Sequence, residues 1–80
     1  MIPDPTQKYP ARYEIQVAGR IAPERADWFD GMTSSMKASP DGGAVTVLSG
    51  RVADQAALFG ILNRIRDLGL RLISVNPVGD

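Results

Sequence analysis

The 80-residue chain contains no cysteine and no histidine. The first absence excludes disulfides, thiolate metal sites and thiol catalysis. The second removes the usual general base at neutral pH and the commonest metal ligand. Aromatic residues are scarce, with one tryptophan, two tyrosines and two phenylalanines. Neither sign of charge is in excess, because nine basic residues meet nine acidic ones. A neutral domain lacks the drive for non-specific binding to nucleic acid or anionic membrane, although a local patch can survive. No apolar run approaches the roughly 18 residues of a membrane span. The start, MIPDPTQKYPAR, lacks the basic-then-apolar order of a signal peptide. These features lead to the expectation of a cytoplasmic, bacterial-type protein with a flexible leader over residues 1–11 and one domain over residues 12–80. Tyr9 is a candidate pin between leader and body.

What is present is an ordinary apolar share, 44%, which argues against wholesale disorder. The clearest pattern is DQAALFGILNRIRDLGLRLISV, residues 54–75. Asp54 directly precedes the helical pattern and suits the cap that accepts first-turn amides. Leu58, Ile61, Leu62, Ile65 and Leu68 recur at three- and four-residue steps and form one apolar stripe. Gln55, Asn63, Arg64 and Asp67 fall on the other side. Arg64 and Arg66 lie near the C-terminal end, where cations suit the dipole. Gly69 can close the helix in the left-handed conformation, with Leu70 folding back. Residues 70–75 then read as a strand, ended by Asn76-Pro77.

Upstream, residues 12–21 alternate, with Tyr13, Ile15 and Val17 on one side and Arg12, Glu14 and Gln16 on the other, as a half-buried strand does. Pro23, Glu24 and Asp27 suit the start of a short helix over residues 23–30, with Trp28, Phe29 and Met32 clustered on one side. Residues 33–39 read as a weak strand and residues 44–52 as a β-branched one. Pro40-Asp41-Gly42-Gly43 is a turn signal between them. For residues 44–52 the alternation admits both parities; Val45 and Val47 are taken as inward, Thr46 and Leu48 as outward.

The resulting order, β-α-β-β-α-β, is that of the split βαβ, or ferredoxin-like, motif. The expected fold class is α+β, with a four-stranded antiparallel sheet in the order 4-1-3-2 and two helices on one face. On that parity the uncovered face presents Arg12, Glu14, Gln16, Ala18, Thr46, Leu48, Leu72 and Ser74, with an apolar centre at Ala18, Leu48 and Leu72. Ile73 and Val75 point inward. A chain this short buries only about 60% of its unfolded surface. Self-association through the uncovered face is therefore the expected use of that centre.

The segments QAALFGILNRIRDLGLRLISVNPV and YEIQVAGRI, with Asp27-Trp28, resemble a group of short uncharacterised bacterial proteins. Their pattern ends in a QAALxGxLxRIRDLGLxLxSV-type helix and strand. The resemblance covers nearly the whole chain after the leader and implies a ferredoxin-like fold, but no activity. More distantly the order resembles ACT domains, which bind small ligands at dimer interfaces. The loop from Gly19 through Arg20 to Pro23 matches theirs weakly and lacks their usual acidic residue.

Other uses of the motif fit less well. An RNA-recognition module needs aromatics on the central strands, and residues 44–52 have none. A metallochaperone needs a cysteine pair, and an amino-terminal-proline tautomerase needs proline where Ile2 stands. An acylphosphatase-type hydrolase uses a loop arginine, which Arg20 or Arg25 could imitate, but its asparagine has no counterpart in residues 44–52. Arg20 and Arg25 are thus candidates for an anion or ligand loop.

Phe59 lies off the apolar stripe. It reads either as tucked against the leader or strand ends, or as an exposed anchor for another chain. Gly60, mid-helix, reads either as a point of close backbone approach or as drift. The expected function is a non-catalytic association module forming a homodimer or higher oligomer, with candidate interface residues Phe59, Leu48, Leu72, Gln16 and Thr46. An ACT-like small-ligand sensor and a minimal acylphosphatase-type hydrolase are the alternatives. No cofactor, metal or catalytic residue is assigned, and neither membrane nor nucleic acid is the expected partner.

Overall fold

A computed structural model describes residues 8–21 and 32–78. Four strands, β1 (Ala11–Ala18), β2 (Thr33–Ala38), β3 (Ala44–Val52) and β4 (Arg71–Val78), and one helix, α1 (Gln55–Asp67), are present among these residues. The strands form one sheet in the order β2-β3-β1-β4, and each neighbouring pair is antiparallel. This is the expected strand order read from the opposite edge.

The expected two-helix, ferredoxin-like class is corrected. The described residues form a small α+β fold in which the sheet carries a single helix. The other helix was expected over residues 23–30, which lie outside the described residues, as do Arg25, Trp28 and Phe29. Its sequence signal amounted to about two turns, a length that local propensity alone does not specify.

Helix α1 forms where its caps and stripe place it. Asp54 is the N-cap and its Oδ1 accepts the Ala57 amide at 2.7 Å. At the other end Gly69 has φ +73°. Its amide donates to the Arg66 carbonyl at 2.9 Å, and the Leu70 amide donates to the Ile65 carbonyl at 3.2 Å. That pair of bonds is the Schellman closure, which satisfies carbonyls left over by the helix. Leu58 and Ile65 are the buried residues of α1, while Ile61, Leu62 and Leu68 are half-buried and pack against the core from the flanks. The hydrophobic core joins these to Ala11, Tyr13, Ile15 and Val17 of β1.

Two strand facings differ from expectation. On β3, Leu48 stands directly opposite Ile15, Thr46 opposite Val17 and Val52 opposite Ala11. Residues directly opposed in an antiparallel pair share a face, so Thr46 and Leu48 point toward α1 and Val47 points away. Both parities of AVTVLS carry apolar residues, so alternation did not decide between them; pairing with β1 does.

On β4 the register shifts between Gln16 and Val17, whose partners are Ser74 and Leu72. Ile73 is the extra residue of a β-bulge, and one extra residue reverses the parity of everything before it. Leu72 therefore joins Val75 against the core, while Ile73 is 44% exposed. The strand also runs through Pro77, opposite Tyr13. Proline is tolerated there because β4 is an edge strand and need not donate outward.

Tyr9 packs on the core rather than trailing free of it. Its ring stacks on Tyr13 at 6.2 Å and 16°, and the two hydroxyls lie 3.2 Å apart. Gly50, opposite Tyr13 on β3, contributes no side chain to crowd that ring.

Candidate association surfaces

With parity settled, the face of the sheet turned away from α1 can be read row by row. The row nearest the start of β1 sets Arg51, Arg12 and Val78 side by side. The next holds Thr33, Ser49, Glu14 and Asn76; the third holds Ser35, Val47, Gln16 and Ser74; the fourth holds Lys37, Val45, Ala18 and Arg71. Cations thus occupy the first and last rows, and hydrogen-bonding side chains fill the middle. Arg12, Lys37, Arg51 and Arg71 are all exposed. Arg12 Nη2 donates to Ser49 Oγ at 3.5 Å, and Gln16 Nε2 donates to Glu14 Oε1 at 3.1 Å.

Beyond the fourth row the β2–β3 turn borders an open cleft of about 520 Å³, lined by Gly19, Asp41, Val45 and Arg71 among others. Val45 is buried at its foot. Gly42 takes φ +90°, and Gly43 donates its amide to Asp41 Oδ1 at 3.0 Å. The Ser39 side chain, that Gly43 amide and the Arg71 charge hold the Asp41 carboxyl below its ordinary value. The carboxylate is exposed and its bonds shape the turn, so its role is to fix the hairpin.

The sequence candidates fall on different surfaces of the fold. Leu48, 1% exposed, and Thr46 lie in the interior. The Thr46 hydroxyl donates to the Gly19 carbonyl at 2.7 Å and so ties the end of β1 to β3. Leu72 is half-buried against the core. The open face keeps Gln16 and loses the apolar centre expected of Leu48 and Leu72. Phe59 is 41% exposed on α1, away from that face. Arg20 is exposed and shares a shallow recess with Lys37; Arg25 lies outside the described residues. The cations that alternation misassigned or left unplaced are Arg51, Lys37 and Arg71. The signal that could have found them is the Val45-Val47-Ser49-Arg51 parity of β3, polar at its end.

The edges differ from each other. β2 is exposed at all six positions, and Met36 is 46% exposed on the α1 side of the sheet. β4 carries the bulge at Ile73 and Pro77, two devices that obstruct further pairing. On α1, a Cβ built at Gly60 meets nothing within 4 Å among the described residues, so packing against them does not require glycine there. Gly60→Ala is expected to stabilise the fold by about 1 kcal/mol through helix propensity. A higher midpoint in urea unfolding checks this; a lower one would mean that another molecule's backbone uses this position.

Among the described residues no helix is long and apolar enough to cross a membrane, and no group of three or more metal-ligating side chains gathers. No curated protein and no solved structure matches the chain. A family model does match, over residues 12–76, which spans the sheet and α1 from Arg12 to Asn76. The chain belongs to the family described as Domain of unknown function (DUF8691).

Proposed function

We propose that the domain is a non-catalytic association module that pairs with a second copy of itself along strand β2. One observation carries this reading: β2 is a sheet edge exposed at every residue, with neither the proline nor the bulge that obstructs β4. An unpaired edge offers backbone amides and carbonyls to another strand. An antiparallel β2–β2 pairing that keeps like faces together and centres on Met36 sets the two methionines side by side, burying the most exposed large apolar residue on the sheet. It sets Ser35 opposite the partner's Lys37, so the two ammonium groups do not meet. The smallness of the core supports the same reading, since added sheet lends stability that a domain this short has difficulty supplying alone. The absence of histidine and cysteine favours binding over catalysis.

Sedimentation equilibrium at micromolar concentration is expected to give the mass of a dimer. Met36→Lys sets two ammonium groups against each other at the centre of the pairing and is expected to give a folded monomer. A parent chain that stays monomeric, or a Met36→Lys protein that stays dimeric, would reject the edge pairing.

A further inference from the structure

With no cysteine in the chain, thioethers are its only sulfur, and any response to oxidants through sulfur falls to methionine. Of the three methionines, Met1 lies outside the described residues and Met32 is half-buried against the core. Met36 is 46% exposed, in the middle of the β2 edge. We infer that the pairing along β2 is sensitive to oxidants: oxidation of Met36 to its sulfoxide in the free protomer prevents two copies from joining. The inference rests on the β2 pairing proposed above and adds its regulation.

A hydroperoxide oxidises a thioether in one two-electron step. The sulfur lone pair attacks a peroxide oxygen, so that an S–O bond forms and the O–O bond breaks. The leaving hydroxide takes the proton from the transferred oxygen and departs as water. The sulfur is oxidised and the peroxide reduced, with no further reactant. The step needs access to the sulfur, which the free protomer gives at Met36 and the paired one does not. A reductase with a dithiol as electron donor returns the sulfoxide to the thioether, so the change is reversible.

In a pairing centred on Met36 the two thioethers meet at the two-fold axis and fill the contact between the strands. Oxidation turns this flexible apolar side chain into a polar one. Two sulfoxides set two acceptor oxygens side by side, and neither can donate to the other. Thr46, opposite Met36 on β3, already donates its hydroxyl to the Gly19 carbonyl. Burying two polar groups in place of two apolar ones is expected to weaken the pairing at least about 30-fold. Met36 lies outside the buried core cluster, so oxidation separates the protomers and leaves each one folded.

The test is sedimentation equilibrium of the full chain before and after treatment with hydrogen peroxide. Peptide mass spectrometry reports which methionine gains an oxygen, and circular dichroism reports the sheet. The parent is expected to pass from dimer to folded monomer as Met36 is oxidised. Met36→Leu conserves apolar volume and cannot be oxidised there, and it is expected to stay dimeric throughout. Met36 is also expected to oxidise more slowly above the dissociation constant of the dimer than far below it, because pairing covers the sulfur. An oxidised parent that remains dimeric, or a rate of oxidation independent of protein concentration, overturns the inference. Dissociation of treated Met36→Leu, or loss of the sheet signal in the oxidised parent, does the same, since another residue or the fold itself is then the target. An untreated parent that is monomeric overturns the pairing and the inference together, whereas a dimer that survives oxidation of Met36 but not Met36→Lys overturns the inference alone.

Discussion

Replacing Leu48 with glutamate is expected to leave the chain unfolded at room temperature, with the far-ultraviolet circular dichroism of a coil. Leu48 is 1% exposed and belongs to the core cluster with Ile15, Val17 and Leu58. Its cross-strand partners are Ile15 on β1 and Ser34 on β2. An unpaired carboxylate in an apolar site is so disfavoured that it takes up a proton or the structure opens to water. A domain of this size has roughly 4–12 kcal/mol of stability to lose. Leu48→Met, which conserves volume, is expected to cost less than about 1.5 kcal/mol and serves as the control. On the uncovered face the same glutamate would be harmless to folding. A folded Leu48→Glu protein would therefore overturn the parity of β3, and with it the placement of Arg51 opposite Arg12.

Leu58→Ala is expected to cost about 2–5 kcal/mol, measured as a lower urea midpoint at unchanged slope. Leu58 is fully buried, on the side of α1 that packs into the core cluster. Truncation removes apolar contact and leaves a cavity that a helix held at both caps cannot easily collapse. Leu62, half-buried at the flank of the stripe, has less to lose, and Leu62→Ala is expected to cost clearly less than Leu58→Ala. The reverse ranking would show that α1 is rotated about its axis relative to the sheet.

The helix and its ends were legible in the sequence because their determinants are local. Asp54, the three- and four-residue apolar steps and Gly69 all act within one or two turns. The first strand was equally legible, because Tyr13, Ile15 and Val17 leave only one parity that buries them. The candidate surface was not. Leu48 and Thr46 fell on the wrong side because valine, threonine and leucine fill both parities of β3. Leu72 did so because a bulge at Ile73 cannot be seen in an alternating pattern. With those three residues turned inward, the face away from α1 carries Val45 and Val47 beside Ala18 instead, and Arg51, Lys37 and Arg71 join it.

Composition and local pattern alone determined the strand segments, the capped helix and the exclusion of thiol and imidazole chemistry, since each depends on residue type or on neighbours a few positions away. Which side chains β3 and β4 turn toward the helix was decided only by the assembled sheet. Register is a long-range quantity, and a slip of one residue exchanges the two faces.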